Sequence, residues 1–419
     1  DAWLKAKRAG NDRDTALAVL AGALPFVYVP RFYAPESDAQ GFGAVRRLRS
    51  DVPEAIVPAV VADLDAAPLP TRPIVPYVEC VQDRITLELM RGCPGRCRFC
   101  QSTTIKRPLR FRRVETLLAA AREAYRNTGY SEISLLSLST SDYPQIAELV
   151  QSLYAEFGPM GVGISLPSLR VNEELTLVGD LLKTDRHSGL TIAPEAALDD
   201  MRRQLGKNIS NDDLYAGCRR AMERGFSRVK LYFMCGLPGE RDADLDGILE
   251  MADQVSRLGK ETTGRWATVV ANVSNFVPKP QTPFQWHAMQ RREYFETAHE
   301  RLRSRRRWKS VQVKCHDIES SLLEGVLSRG DRRMGEAVFR AWQAGARFDG
   351  WQERLRPELW WRAIREAGVD AHAVLHTPLG ADARLPWDHI GIRQGRHHLE
   401  RERDEARELL TSMCLAMDR

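Results

Sequence analysis

Residues 84–100 read RITLELMRGCPGRCRFC. The run 84–90 is rich in β-formers and predicts a strand. Cys93, Cys97 and Cys100 follow it at once, spaced by three residues and then two. A cuboidal 4Fe–4S cluster takes thiolates at its iron corners, and a short loop wraps three corners if its backbone bends freely. Gly92 and Gly95 supply that freedom, and Pro94 stiffens the turn. Three thiolates leave one iron without a protein ligand, and an open metal position is where a small molecule coordinates. Two other readings of the thiols stay open at this point. Structural zinc wants four ligands, and Cys80 is the nearby fourth thiol. A closed electron-transfer cluster would draw its fourth cysteine from afar.

Outward from this loop the chain alternates strand and helix. Strands are predicted at 133–138 (ISLLSL), 162–166, 190–193, 228–234 (RVKLYFM) and 267–276 (ATVVANVSNF). Helices are predicted near 114–121, 144–157, 173–183, 212–224 and 243–258. With 84–90 this makes six β units joined by helical crossovers, which implies a parallel sheet covered by helices. The fold class is α/β, and the units suit a partial (β/α)6 barrel of the TIM type. In parallel barrels the chemistry gathers at the C-terminal ends of the strands. Residues 1–78 read as an adaptor, with a helix at 14–23, an apolar stretch at 26–33 and an extended linker through Pro68, Pro70, Pro73 and Pro76. The barrel core is assigned to 79–287. Residues 288–419 read as a mainly helical C-terminal region for a substrate or partner. It holds an Arg-rich helix at 290–306, a further strand at 309–314, Trp-rich helices and a charged helix at 397–410.

Composition narrows the function classes. At 419 residues the chain has room for two or three domains. No apolar run of about 18 residues occurs, so no membrane span is expected. The eight cysteines are not spaced as a disulfide framework. Scattered thiols predict a reducing cytoplasm, where clustered ones bind metal. Net charge is only +5, so no global field demands nucleic acid. The basic residues nevertheless concentrate at 106–113 (KRPLRFRR) and 301–309 (RLRSRRRWK). Such runs mark either an RNA footprint or a solvated helix face. The chain opens at Asp1 without an initiator Met, from which lost upstream residues are expected.

The Cys-x3-Cys-x2-Cys loop after a first barrel strand, with Phe99 before the last cysteine, resembles the signature of the radical S-adenosylmethionine (SAM) superfamily. The resemblance implies a 4Fe–4S cluster on Cys93, Cys97 and Cys100, with the amino and carboxylate groups of SAM on its open iron. It implies an enzyme that cleaves SAM reductively to methionine and a 5′-deoxyadenosyl radical, with an electron donor such as flavodoxin or ferredoxin. It also implies where SAM touches the chain. Phe99 stands beside the cluster. Ser139 and Thr140 lie in the turn after the second strand, where LSTSD (138–142) replaces a Gly-Gly-Glu-like motif. Ser165 is on the third strand, Glu195 follows the fourth in APEA, and Gly236 and Pro238 follow the fifth in GLPGE. Plain structural roles stay open for Ser165 and Glu195, the latter as a carboxylate at a helix N-terminus. The run Phe276–Trp286, rich in proline, aromatic and amide groups, suits a substrate-facing lip or a packed domain junction.

Further stretches resemble a bacterial family of uncharacterised radical SAM proteins over essentially the whole chain. They are 133–139, 231–234, Cys315 to Asp317, 321–325, 329–333, 346–349 and Leu385 to His389. Members carry an N-terminal domain resembling a cobalamin-binding fold. Residues 1–78 would be a remnant of it, and no Asp-x-His-x-x-Gly motif is present. Cobalamin is therefore a cofactor the family allows and this chain does not support. Family association tilts the expected substrate toward RNA or another translation-linked macromolecule. The alternatives are cobalamin-dependent methyl or group transfer to a small molecule, and a non-catalytic Fe–S partner subunit. Cys315, His316 and Asp317 are candidates for a catalytic or metal group, against a structural role. An auxiliary cluster from Cys218, Cys235, Cys315 and Cys414 has no spacing signature.

Overall fold

A computed structural model describes residues 1–37, 43–78, 80–165 and 189–417, with side chains to Met413. The N-terminal segment holds helices α1 (Ala2–Arg8) and α2 (Arg13–Ala23) and an antiparallel pair, β1 (Tyr33–Ser37) with β2 (Gly43–Arg47). Asp12 caps α2, accepting from the Thr15 N–H at 2.7 Å. Ala18 and Ala21 pack with Val29, Phe32, Val45 and Ile56 in a small separate core. The linker through the four prolines forms neither helix nor strand, as proline's fixed φ and missing N–H require.

Strand β3 (Ile85–Glu88) runs into β4 (Met90–Arg91), which pairs antiparallel with β5 (Arg110–Phe111). This short pair ties off the cysteine loop, within which lies α3 (Ser102–Ile105). Then come α4 (Val114–Thr128), β6 (Glu132–Leu136), α5 (Ile146–Phe157) and β7 (Gly163–Ser165). Beyond residue 188 follow β8 (Leu190–Glu195), α6 (Asp199–Gln204), α7 (Asn211–Glu223), β9 (Arg228–Cys235), α8 (Asp242–Thr263) and β10 (Thr268–Asn275). The predicted strand end at Leu166 and the helix near 173–183 lie outside the described residues. Local chemistry sets the helix ends. Gly129, at φ +67°, stops α4, and a capping box starts α7, where Ser210 Oγ accepts from the Asp213 N–H at 3.1 Å.

The strands form two parallel sheets, one ordered β3-β6-β7 and one β8-β9-β10-β11. The last strand, β11 (Val311–Cys315), follows α9 (Arg292–Ser304) and extends the six-strand array by one. It answers to the further strand expected at 309–314, and only Val311 of its five residues is fully buried. Alternation puts Ile85, Leu87, Ile133, Leu135 and Ile164 against α4 and α5. Leu231, Phe233, Val269, Ala271 and Val311 likewise face α7, α8 and α9. The helical C-terminal region comprises α10 (Ile318–Arg329), α11 (Met334–Gln343), α12 (Pro357–Glu366), α13 (Ala371–His376) and α14 (Gly395–Met417). Among the described residues no helix is long and apolar enough to cross a membrane.

The basic runs are partly built into this frame. Arg112 is 1% exposed, with its guanidinium on the carbonyls of Leu64, Ala67 and Glu88. Arg113 pairs with Asp65 at 2.8 Å. In the second run Arg301 and Arg305 both engage Asp246. The expected alternatives were an RNA footprint or a solvated face. In 106–113 Arg112 instead acts as an internal strut, because a guanidinium has five donors that carbonyls can satisfy, while Arg113 stays exposed on Asp65.

Candidate functional site

Cys93 is buried, Cys97 and Cys100 are half-buried, and none is in a disulfide. The Cys100 N–H donates to the Cys97 carbonyl at 3.1 Å, closing a tight turn between two of the thiols. The Gly95 N–H donates to the Cys93 sulfur at 3.4 Å. Gly92 has φ +97°, and a Cβ there would meet the Lys106 carbonyl at 2.8 Å, so the bend needs glycine. Arg107 braces the loop, donating to the carbonyls of Thr103, Pro94 and Gly95 at 3.2 Å each.

Among the described residues no three His, Cys, Asp or Glu side chains converge on a single metal ion. Cys80 is exposed and bonded to Asp83 at 3.1 Å. The donors therefore do not suit a four-ligand zinc. A cuboidal cluster takes each thiolate at a separate iron, and three thiols on one glycine-bent loop fit that group. Cys218 is packed in the helical layer, where burial pushes its thiol up to about 12.

One apolar cluster gathers the strand ends around the loop. Phe99 packs with Ala196 after β8, Leu237 after β9, and Phe276 and Phe284 of the predicted lip. Glu195, Gly236 and Pro238 are the chain neighbours of those anchors. Glu195 has φ +70° at an irregularity in the β8–β9 register, a strained conformation for a side-chain residue. It pairs with Lys207 at 3.0 Å, while burial holds its carboxyl above the usual range. Glu195 thus lies on the strand end, ahead of α6, and is not a helix-terminal carboxylate. Lys207 went unforeseen. It follows Gly206, where a Cβ would meet the Arg96 carbonyl at 2.4 Å, so this backbone lies directly on the cysteine loop.

Ser139 and Thr140 are buried in the turn after β6. Ser139 donates to Asp142, and Thr140 shares a 3.0 Å hydrogen bond with Ser137. Ser165 ends β7 in register with Ser134. These three belong to the three-stranded half, and Ser139 and Thr140 bond within their own turn.

The Gly236 N–H donates to Glu240 at 2.7 Å, and Glu240 also accepts from the Tyr294 hydroxyl. Burial pushes the Glu240 carboxyl up to about 7 from an ordinary 4.5. Its folded pKa therefore exceeds its unfolded one. The associated stability is present below the unfolded pKa and is lost as pH rises through about 7. Thermal unfolding from about pH 5 to 8 should show the wild type losing ground to Glu240→Gln, which cannot ionise. Parallel pH profiles for the two proteins would refute this.

The lip and the C-terminal region hold the loop from outside. Gln101 Nε2 donates to the Pro280 carbonyl at 3.0 Å, and Thr104 Oγ1 to the Gln281 carbonyl at 2.6 Å. The Gln281 amide in turn donates to the Ile390 carbonyl at 2.6 Å, and the Trp387 indole to Gln285 at 2.7 Å. The run Leu385 to His389 thus buttresses the lip, and the Ile56 N–H reaches the His389 carbonyl at 2.8 Å from the N-terminal segment. Arg98, 7% exposed, donates to Glu402 at 3.0 Å and Glu405 at 2.9 Å on α14 and to the Gln204 carbonyl at 3.0 Å. A cavity of about 580 Å³ opens here, lined by Cys97, Arg96, Arg107, Pro283, Arg393 and His398.

Residues 87–252 match the radical SAM superfamily. An uncharacterised protein of Methanocaldococcus jannaschii is 31% identical over 255 residues, 60% of this chain and 53% of the relative. The ribosomal protein uS12 methylthiotransferase RimO of Pelotomaculum thermopropionicum is 27% identical over 208 residues, 46% of this chain and 46% of the relative. The chain spans about half the length of the curated relatives it matches. Among solved structures, the radical SAM methyltransferase TsrM of Kitasatospora setae, with cobalamin and a 4Fe–4S cluster bound, aligns at 15% identity and a TM-score of 0.38, over 48% of this chain and 38% of that one. The three-cysteine loop lies inside the segment that matches the radical SAM superfamily, and the strand ends that follow it gather on Phe99.

Proposed function

We propose that the chain is a radical SAM enzyme that cleaves SAM reductively at a 4Fe–4S cluster held by Cys93, Cys97 and Cys100. One observation carries this: three thiols on a glycine-bent loop, braced by Arg107 and set among the barrel's strand ends. When bound, such a cluster passes one electron to the SAM sulfonium, which splits into methionine and a 5′-deoxyadenosyl radical. The chain's own residues make the setting for that chemistry. Phe99, Leu237, Phe276 and Phe284 form an apolar wall that excludes water. Glu195 with Lys207, and Ser139, Thr140 and Ser165 on the other half, offer polar contacts to the nucleoside and amino-acid ends of SAM. Gly236 and Pro238 offer backbone, the Gly236 amide being already bonded to Glu240. Flavodoxin or ferredoxin would supply the electron.

Cobalamin is a cofactor the family allows and the residues present do not support. The described part of 1–78 folds as two helices and an antiparallel pair, and no histidine precedes His187. For the substrate we propose a translation-linked macromolecule, the class named in the Pelotomaculum relative. RNA is the weaker form of that reading, since Arg107 and Arg112 brace backbone carbonyls and Arg301 and Arg305 are held by Asp246.

The experiment is anaerobic reconstitution with iron and sulfide, reduction with dithionite, and an assay for 5′-deoxyadenosine from added SAM. Product is expected. A reducible cluster that yields none would replace this reading with the non-catalytic Fe–S subunit.

A further inference from the structure

A second cavity, of about 680 Å³, lies between α9, the C-terminal end of β11 and the turn at 349–352. That size suits a small polar ligand. His316 connects it to the barrel mouth. The same residue lines a cavity of about 240 Å³ with Phe99, Met234 and Ser274 at the strand ends. Cys315 and His316, singled out in the sequence, therefore stand beside a chamber, although they do not converge with a third ligand on a metal ion.

Several charged groups of the chamber are already engaged. Arg292 pairs with Glu319. Asp317 caps α10, accepting from the Ser320 N–H at 2.7 Å. His299 shares a 2.8 Å hydrogen bond with Asn275, and both are buried. Glu296, Arg303 and Asp349 have no hydrogen-bond or ion-pair partner among the described residues. Asp349 Oδ1 is buried without any hydrogen bond, a costly state for a carboxylate unless a ligand completes it. Glu296 and Arg303 share a face of α9 two turns apart, roughly 10 Å along its axis. A purely anionic ligand would face two carboxylates, and a purely cationic one would face Arg303. A ligand bearing both charges satisfies all three.

We propose that this chamber seats a peptide segment of that macromolecular substrate, which presents an ammonium to Glu296 and Asp349 and, a few residues along, a carboxylate to Arg303. A span of roughly 10 Å corresponds to about three residues of extended chain. The assignment to substrate rests on the radical SAM reading, because His316 is what sets the chamber beside Phe99. Calorimetric titration of the full chain with triglycine tests it, with N-acetyl-triglycine and triglycinamide removing one charge each. Saturable triglycine binding is expected, weakened about tenfold or more by either cap and by Arg303→Gln or Asp349→Asn. No saturable binding, or capped peptides that bind as well as triglycine, would overturn the proposal. The titration needs no SAM cleavage, so the two readings fail separately. Triglycine bound by a chain that yields no 5′-deoxyadenosine leaves the chamber standing as a binding site and removes its substrate role. Product from a chain that ignores triglycine sinks the chamber alone.

Discussion

Changing Cys93, Cys97 or Cys100 singly to alanine is expected to cut 5′-deoxyadenosine formation by about 100-fold or more, with parallel loss of bound iron and sulfide. Loss of even an outer-shell partner costs a metal site about 10- to 100-fold, and here an iron corner itself loses its thiolate. The variants should still fold. The loop is held by the β4–β5 pair, by Arg107 and by Thr103, whose hydroxyl donates to the Cys100 carbonyl at 2.8 Å. None of these ties uses a thiol. Cluster-free variants should therefore unfold within about 1 kcal/mol of the cluster-free wild type. Undiminished product from any one of them would remove that cysteine from the ligand set.

Arg98→Met should destabilise the chain by roughly 3–5 kcal/mol, the usual cost of breaking a buried ion pair from one side. Glu402 is 4% exposed, and its Oε1 makes no hydrogen bond. Arg96 reaches that atom only at 3.6 Å. Without Arg98 the carboxylate is left charged and buried. The double variant Arg98→Met with Glu402→Leu should recover most of the loss, because an apolar pair of similar volume carries no desolvation penalty. Urea unfolding measures both. A single-variant cost below about 1 kcal/mol would mean that α14 is not held by this pair.

The cysteine loop was legible because its chemistry is written in consecutive positions. The barrel was legible because its strands bury alternate residues against helices, as Leu231 and Phe233 do. What escaped were pairings over long sequence distance. Arg98 reads as a spacer between cysteines until Glu402 is folded onto it. Lys207 reads as a loop lysine until the irregular end of β8 turns Glu195 toward it. Arg112 belongs to a run that looks like a phosphate footprint, since composition does not separate a solvated guanidinium from one bonded to three buried carbonyls. The chamber at the end of β11 is a juxtaposition of α9, β11 and a distant turn, and no local pattern announces it.

Arg98 and Glu402 stand 304 residues apart in the chain. At about 5–20 residues per second the loop is synthesised roughly 15 to 60 s before the helix that covers it. The order of manufacture thus differs from the order of assembly in space. Whatever delivers iron and sulfide meets an uncovered loop on the nascent chain. On the finished chain it meets one latched by α14, and late loading has to enter through the mouth or lift that latch.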